Sequence, residues 1–561
     1  MTFPLSRSDR LRAGCAAGAL LLAGPALAEI AAQEVRDEFQ EAYETLGMTV
    51  EVGAEEAGDG TVTLSDVVLS FEFTDEGEEF GGTLPAEPDR TVRVEATFPE
   101  IVFTETPEGA VRATLPPRGE MEVTTTTAET PAVDTATLAL LMDAAELLVS
   151  EGAPAAADDA ADQGGGGPRS YALAADRLAA ELVEATRAGE PVEGELVAAL
   201  EGVSTVTTVP RTGSGPDETL RYTQTGEIAV MSLRMDLPVA EDPPLGGQEP
   251  AEPGRLVSIG DTRDIVLSGE GTVPGGDAFR TFVEDDDPSG ALRAGLAGRL
   301  ALAYGSGTSE GTASNPVDPS QSFSVDSTYA GGDLEMSIGA EGLALSGTAG
   351  AVDYAVEGSG MPVPRIELGL EEGDFAFRLP LLEGEAGPFE LRYLLAGLTV
   401  NEEVWALLDP EGRLARDPMT LLVGLDGRMR LLADIFDETA QAEADAAGEM
   451  PLEVEEASLE FRLAAVGADV EADGEFTFDN ADTTTFPGMP APTGTLNVVG
   501  SGIDALLDTL SEMGLVPPDQ LMPARMMLGL FARSDGSGGY TSEIEVDGAT
   551  GGVTANGQRL R

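Results

Sequence analysis

The residue types that usually perform chemistry in proteins are scarce in this chain. Its 561 residues include no histidine and one cysteine, and all 31 basic residues are arginine. A Ser-His-Asp triad, a Schiff-base lysine and a P-loop lysine are therefore excluded, because each needs a residue type that the chain lacks. Conventional zinc sites built from histidine and cysteine are excluded for the same reason.

Carboxylates are the reactive groups that remain, with 101 aspartates and glutamates. A suitably spaced pair would serve a glycan hydrolase as acid and base, but nothing in the sequence selects one pair, so we identify no catalytic residue. Asp285-Asp286-Asp287 and Asp479-Asn480-Ala481-Asp482 could supply the oxygen ligands that calcium takes. Neither has EF-hand spacing, and we interpret both as solvated turns. We expect no cofactor, with calcium as the one alternative.

One segment is dense in distinctive residues. It contains the only tryptophan, Trp405, followed by Asp409, Pro410, Arg416, Asp417 and Pro418. Large aromatic side chains mainly fill cores, and Asp-Pro pairs are typical of turns. We therefore predict that Trp405 is buried, that both Asp-Pro pairs shape turns, and that Arg416 pairs with a neighbouring acid.

A pair of amphipathic helices is predicted at residues 501–533. The first has one apolar stripe, with Ser501 as its N-cap and Gly514 as its stop. The second opens at Asp519 after two prolines, and its apolar residues include Met522, Met526, Met527, Leu530 and Phe531. Methionine fills irregular cores and also forms adaptable binding surfaces. We therefore consider these five residues candidates for contact with an apolar partner, and burial in a core is the simpler interpretation.

The first 28 residues have the pattern of a secretory signal peptide. Arg7, Arg10 and Arg12 precede an apolar run, and Ala26-Leu27-Ala28 forms a cleavage site. Cleavage would remove Cys15, so we expect an exported, periplasmic protein without disulfides. No later apolar run approaches the roughly 18 residues of a membrane span. The net charge of −70 excludes nucleic acid as a partner, because binding it requires excess positive charge.

Along most of the chain apolar residues alternate with polar or small ones, as in residues 67–73. This period of two with frequent turns predicts antiparallel strands. The expected fold is mostly β with minor α: elongated, curved antiparallel sheets, an N-terminal helix at 31–46, and the C-terminal helical hairpin packed on the sheet. We divide the mature chain into β-rich parts at 29–360 and 361–561, with flexible loops near 152–169 and 238–254 in the first.

Some segments carry conflicting patterns. Residues 135–149 and 171–200 are rich in alanine, leucine and glutamate, which favours helix by propensity, whereas their turn signals favour strands. Helices are also predicted at 289–303, 390–398 and 401–408. Asp426-Gly427 and Asn556-Gly557 predict turns.

Several short motifs together form a recognisable set: Glu403-Val404-Trp405-Ala406-Leu407-Leu408-Asp409-Pro410, Arg416-Asp417-Pro418, Phe476-Thr477-Phe478-Asp479-Asn480, Ala524-Arg525-Met526-Met527-Leu528-Gly529 and Ala555-Asn556-Gly557-Gln558. They resemble the bacterial domain of unknown function 2125 family, exported proteins of alpha-proteobacteria. The resemblance implies a β-rich periplasmic protein and favours strands at residues 135–200. The family supplies no established activity and no catalytic residues. Long strand arrays with terminal helices are also similar to envelope proteins of the AsmA type, in which curved sheets form apolar grooves.

Three functions remain open from the sequence. The leading hypothesis is a non-enzymatic cell-envelope protein whose β-groove binds a lipid or another apolar partner, because apolar strand faces and a methionine-rich helix are abundant. The second is a structural or protein-interaction scaffold of the envelope. The third is a carboxylate-based glycan hydrolase, which requires two acids that converge in a cleft.

Overall fold

The computed structural model describes residues 30–45, 47–75, 90–127, 130–152, 168–210, 219–239, 254–275, 287–316, 318–437, 451–536 and 538–561. Antiparallel strands dominate, with a helix at the N-terminal end and helices near the C-terminus, which confirms the mostly-β fold class. The helices are α1 (Ala32–Thr45), α2 (Pro288–Arg293), α3 (Glu402–Leu408), α4 (Ile503–Glu512) and α5 (Pro518–Phe531), and a 3₁₀ turn spans Pro319–Gln321.

The chain divides into two compact units. Unit 1 comprises Met1–Asp286 and Tyr304–Ser324, and unit 2 comprises Asp287–Ala303 and Val325–Arg561. This boundary does not coincide with the division at residue 360 that we drew from the sequence.

Unit 1 is an antiparallel meander. Its strands are β1 (Thr49–Gly58), β2 (Thr61–Asp75), β3 (Arg90–Glu105), β4 (Val111–Thr114), β5 (Arg118–Thr127), β6 (Thr130–Asp143), β7 (Glu146–Glu151), β8 (Arg169–Arg187), β9 (Glu190–Pro191), β10 (Glu195–Val209), β11 (Leu220–Val239), β12 (Gly254–Val273) and β14 (Gly307–Ser314). Strand β3 pairs with both β4 and β5, and β8 pairs with both β6 and β7. Strands β4 and β5 therefore together occupy one strand position of the sheet, and β6 and β7 together occupy another.

Helix α1 covers the main core of unit 1. Its side chains pack with those of the first strands, and the ring of Phe39 meets that of Phe103 edge-on at 6.0 Å between centroids. Leu64 and Phe103 are each only 1 % exposed. Gly47 has a positive φ of 77° directly after the helix, as the predicted helix stop requires.

Several long strands of unit 1 bend near their middle. Asp66 in β2, Gly202 in β10 and Asp264 in β12 have positive φ angles of 52°, 62° and 52°. The ladder between β1 and β2 skips the Asp66 position, and the ladder between β11 and β12 skips Asp264. Residues in the left-handed region redirect a strand locally, so these strands change direction at Asp66, Gly202 and Asp264.

Unit 2 is also an antiparallel meander. Its strands are β13 (Ala297–Tyr304), β15 (Phe323–Tyr329), β16 (Gly332–Gly339), β17 (Gly342–Ala349), β18 (Val352–Gly358), β19 (Arg365–Leu370), β20 (Glu372–Leu379), β21 (Gly387–Val400), β22 (Met419–Leu431), β23 (Leu452–Ala465), β24 (Ala468–Asp479), β25 (Ala491–Ser501), β26 (Arg533–Ser534), β27 (Gly539–Asp547), β28 (Gly552–Ala555) and β29 (Gln558–Arg559). Ladders run in the order β16, β17, β20, β21, β22, β23, β24, β25, β27, β28.

Where the alanine- and leucine-rich region at 135–200 is described, its main elements are the strands β6, β7, β8 and β10. Strand β8 is paired on both sides, with β6 and β7 along one edge and β10 along the other. Small side chains such as Ala175 and Ala179, 6 % and 9 % exposed, pack beneath these neighbours. Tertiary packing therefore overrides the helix propensity of the segment.

Two helix predictions need correction. The helix expected at 289–303 ends at Arg293, because Gly295 has a φ of 103° and the chain continues as β13. The helix expected at 390–398 is wrong, since these residues lie in β21, which is paired with both β20 and β22. The helix expected at 401–408 is confirmed as α3, with Asn401 at its N-cap position.

The turn predicted at Asp426-Gly427 is also wrong. Both residues lie inside β22, opposite Ser458 and Ala457 of β23. A Cβ atom on Gly427 would lie 2.0 Å from the carbonyl oxygen of Glu456, so this glycine allows close approach of two strands rather than a turn. By contrast, Asn556 and Gly557 have positive φ angles of 53° and 78° in the turn between β28 and β29, which confirms that prediction.

Three further calls lie wholly or largely outside the described residues. They are the signal peptide at 1–28, the loop near 152–169 and the loop near 238–254. On either side of the second loop, β11 runs to Val239 and β12 starts at Gly254.

Candidate functional site

One side of the unit 2 sheet is apolar. Residues directly opposite on paired strands share a face, as do residues two apart on one strand. By this rule the registers place apolar side chains on one face of successive strands, which we call the apolar face: Met336, Leu345, Phe375, Phe377, Leu391, Tyr393, Val423, Leu425, Leu459, Phe461, Leu463, Val470, Leu496, Val498 and Ile544.

The opposite side of the same sheet is charged. Glu460 lies opposite Asp473, which lies opposite Asn497. Arg392 Nε donates to Asp374 Oδ1 at 2.8 Å, and its Nη1 donates to Glu460 Oε2 at 3.0 Å. Ionic and hydrogen-bonded pairs thus lie on one side of these strands, while the apolar face lies on the other.

The apolar face is open. Leu391 is 50 % exposed, Tyr393 46 %, Leu463 42 % and Phe377 38 %. Both clusters of buried apolar side chains found among the described residues lie in unit 1. Contiguous exposed apolar surface of this kind marks an interaction site more often than an accident of sequence.

Unit 1 shows the same alternation beyond its bend, away from α1. Leu200 lies opposite Met231, and Ala198 lies opposite Leu233. Met231 and Leu233 are 45 % and 43 % exposed. An open apolar surface is therefore a feature of both units.

The five side chains predicted to contact an apolar partner are exposed. All lie in α5, with exposures of 75 % for Met522, 73 % for Met526, 60 % for Met527, 44 % for Leu530 and 39 % for Phe531. The interpretation of these side chains as core is therefore wrong for the described chain. The physical reason is that α5 packs mainly along α4 and has no buried residue of its own.

The caps of α4 differ in part from the prediction. Gly502, not Ser501, occupies the N-cap position, with a φ of 73°. A Cβ atom there would lie 2.1 Å from the carbonyl oxygen of Gly467, so Ser501 stays in β25 and the chain turns at the glycine. Gly514, with a φ of 75°, follows the helix as predicted. Helix α5 begins at Pro518, one residue before Asp519.

The Trp405 segment forms a compact polar turn against α3. Trp405 is 7 % exposed, and the guanidinium of Arg416 lies over its ring, 5.8 Å from the centroid. Arg416 also pairs with Glu402 and donates to the carbonyl oxygen of Asp409 at 3.3 Å.

Asp409 is the centre of this turn. It is 1 % exposed, and its Oδ2 accepts from the backbone N–H of Leu414 at 2.7 Å. Backbone hydrogen bonds, first from Arg413, lower the pKa of Asp409. Pro410, Asp417 and Pro418 are exposed. The hydrogen bonds and ion pairs that the structure shows for Asp409 and Arg416 lie within the turn and α3, which fits a structural role.

The acidic stretches behave as turns where they are described. Asp287 accepts from Gly290 N at 2.7 Å as the N-cap of α2, whereas Asp285 and Asp286 lie outside the described residues. Asp482 accepts from Thr485 Oγ1 at 2.6 Å, and bonds from Thr485 and Thr484 lower the pKa of Asp482. Within the described ranges, no three acidic side chains converge in a way that could hold a metal ion.

A buried polar cluster joins α1 to β8, and our reading of the sequence missed it. Arg169 is 3 % exposed, and its Nη2 donates to Glu34 Oε1 and Glu38 Oε1, both at 2.5 Å. Tyr171 Oη donates to Glu38 Oε2 at 3.2 Å. Burial raises the pKa of Glu38 to about 7, although Arg169 opposes the shift. A sequence signal existed, since Glu38 falls three residues after Val35 within the apolar stripe of the helix.

The two carboxylates of this cluster converge, as a glycan hydrolase would require, but they converge on an arginine beneath a helix. Glu38 is 8 % exposed. Because both acids bond Arg169, the arrangement fastens α1 to the sheet.

Comparison of the chain with protein-family models, curated proteins and solved structures finds no match. The resemblance to the domain of unknown function 2125 family thus stays a prediction. Among the helices that the structure describes, none has the length and apolar character to cross a bilayer.

Proposed function

We propose that this protein is a non-enzymatic cell-envelope protein that binds the acyl chains of a lipid along the apolar face of unit 2. One observation carries the proposal: hydrocarbon side chains line one side of the sheet strand after strand, and they remain open to solvent at Leu391, Tyr393 and Leu463. An exposed apolar face of this kind leaves burial energy unused, and a ligand of hydrocarbon can recover it.

The dimensions of the face suit an acyl chain. Ten strands from β16 to β28 follow one another, and neighbouring strands lie about 4.8 Å apart, so the sheet extends roughly 40 Å across its strands. The hydrocarbon core of a whole bilayer is about 30 Å thick. A chain from one leaflet therefore fits across several strands. Each buried methylene contributes about 0.8 kcal/mol.

The proposed location follows from the N-terminal pattern. Residues 1–28 resemble a signal peptide, and a periplasmic protein with an open apolar face stands between two lipid membranes.

The test is lipid capture. Native mass spectrometry of protein purified from periplasm is expected to show co-purifying lipid, and the delipidated protein is expected to take up a fluorescent phospholipid. The double variant Leu391→Glu/Leu463→Glu places two charges on the apolar face and should lower uptake at least tenfold, since each charge must stay solvated.

Val499 offers a matched control. It is 51 % exposed and lies opposite Glu471, on the charged side of the same sheet. Val499→Glu should load lipid like the wild type. Uptake that is equal in all three proteins, or an absence of lipid in the wild type, would exclude the proposal. Cross-linking that finds a protein on the apolar face and no lipid would favour the scaffold function instead.

A further inference from the structure

The hairpin formed by α4 and α5 carries the most exposed large apolar side chains of the described chain. Met522 and Met526 are 75 % and 73 % exposed, and Met527 is 60 % exposed. Residues 522, 526 and 530 recur every four positions, so they follow one side of the helix. Leu521, Arg525 and Leu528 form the half-buried side of the helix, and from there Arg525 donates to Asp508 Oδ1 of α4 at 2.7 Å. The apolar stripe therefore points away from α4.

The hairpin is held to the sheet mainly at its base. Tyr540 Oη donates to Asp504 Oδ2 at 2.6 Å at the start of α4. At the end of α5, Ser542 Oγ and Asn556 Nδ2 donate to the carbonyl oxygen of Phe531 at 2.5 and 3.0 Å. Arg525 pairs within the hairpin, with Asp504 and Asp508. These contacts fix the start of α4 and the end of α5 to the sheet. They leave the methionine stripe exposed, where it can contact another surface.

The hairpin starts on the apolar face. Gly500 lies opposite Val470 and Tyr540, in the same alternation as Val498 and Leu496. The side chain of Ile503, at the start of α4, occupies the space beside Gly500, with its Cδ1 2.7 Å from where a glycine Cβ would stand. Apolar contact thus runs from the face onto the hairpin.

We infer that the α4–α5 hairpin docks on a lipid bilayer without net negative charge and so places the apolar face where lipid can enter it. This inference rests on the proposed lipid binding of that face. Methionine is flexible and polarisable, which suits contact with irregular apolar surroundings. Helices that lie on a membrane bury an apolar face at the boundary between headgroups and acyl chains.

Charge decides the kind of bilayer. Asp504, Asp508, Glu512 and Asp519 lie on the hairpin, and Arg525 is paired with the first two. The whole chain carries a net charge of −70. Anionic headgroups repel such a surface within a Debye length, whereas zwitterionic headgroups do not.

The experiment uses the full mature chain and vesicle flotation. Wild-type protein should float with phosphatidylcholine vesicles, and the inclusion of phosphatidylglycerol should weaken flotation at low salt but less so at high salt. Met522→Glu/Met526→Glu should weaken flotation at least about tenfold, because two apolar anchors are lost. Leu407→Glu/Leu408→Glu is the control, since these side chains of α3 are 53 % and 64 % exposed and lie outside the hairpin.

A second measurement separates docking from binding. The methionine variant should load fluorescent lipid slowly from vesicles but at the wild-type rate from lipid dispersed as monomers, whereas Leu391→Glu/Leu463→Glu should load poorly from both. Flotation of the methionine variant equal to that of the wild type would overturn the inference, as would tighter binding to phosphatidylglycerol. A wild-type dimer that the methionine variant converts to a monomer would show that a second copy covers the hairpin, and would also overturn it. If the wild-type protein floats with vesicles but takes up lipid neither from vesicles nor from dispersed monomers, the proposed function is contradicted instead.

Discussion

The α1-covered core of unit 1 and the apolar face of unit 2 are built from the same sequence pattern, but the first is buried and the second is exposed to solvent. Both place alternating apolar residues on one side of an antiparallel meander. Under α1, Leu64 and Phe103 are 1 % exposed, whereas Leu391 and Phe377 on the apolar face are 50 % and 38 % exposed. The strands are alike, so the difference lies in what covers them. Alternation creates an apolar face, but a separate element must bury it.

The energetic contrast has a functional meaning. Complete burial of a large apolar side chain stabilises a fold by about 1.5–3 kcal/mol, and a side chain left half exposed forgoes roughly half of that. Unit 1 realises this energy within its own chain. Unit 2 does not realise it on the apolar face, where the proposed lipid would recover it. Backbone ladders, and ion pairs on the charged side, hold the sheet together.

The largest expected effect contrasts one phenylalanine from each region. Phe103→Ala should destabilise unit 1 by about 3–5 kcal/mol, because it leaves a cavity in a closed core. Phe377→Ala should cost unit 2 about 1 kcal/mol or less, since its side chain is already solvated in part. Hydrogen-exchange mass spectrometry can read the two units separately. Equal losses in both would mean that the apolar face is covered in solution.

The polar cluster under α1 predicts a pH dependence confined to unit 1. Glu38 has a folded pKa of about 7 against a usual value of 4.5, so the folded state holds its proton more tightly than the unfolded state. Stability should therefore be greatest below pH 4.5, fall as the pH rises towards 7, and be level above that. The loss from this group is on the order of 3 kcal/mol. Glu34, Arg169 and Tyr171 are the groups that face Glu38.

Glu38→Gln is the control for that prediction. It removes the titration and keeps a group that can accept from Tyr171, so the fall in hydrogen-exchange protection of α1 between pH 4.5 and 7 should disappear. A slope that persists in this variant would assign the titration to another group.

A third contrast tests whether the strands of unit 2 pack closely even though one face of their sheet is exposed. Gly427→Ala should destabilise unit 2 by about 1–3 kcal/mol, because its methyl group would press on the Glu456 carbonyl. Gly529→Ala in α5 meets nothing within 4 Å and should stabilise that helix by up to about 1 kcal/mol. Thermal unfolding of the two variants gives the comparison, and tolerance of alanine at Gly427 would show that β22 and β23 lie further apart.

The smallest expected effect is at the hairpin. Arg525→Ala removes exposed ion pairs with Asp504 and Asp508, which should cost about 0.5 kcal/mol. Exchange protection of α5 should fall while that of β24 and β25 stays unchanged. A loss that spreads into those strands would mean that the hairpin is a supporting part of the sheet.

Much of the fold was predictable because its signals are local. Residues 67–73 alternate and form part of β2, and Gly47 and Asn556-Gly557 adopt the positive φ angles that their positions require. Two failures share a cause. At Gly427 and at residues 390–398 a neighbouring strand decides the conformation, and no local pattern records where that neighbour lies.

The candidate site divides in the same way. The residue types that exclude most chemistry, the apolar alternation of the strands and the helical hairpin with its methionine stripe can all be read from the amino-acid pattern. Three-dimensional packing leaves Leu391 and Met522 exposed, buries Leu64, and brings Glu38 to Arg169 across 131 residues of chain. Exposure and pairing depend on which elements cover one another, and long-range packing sets that arrangement.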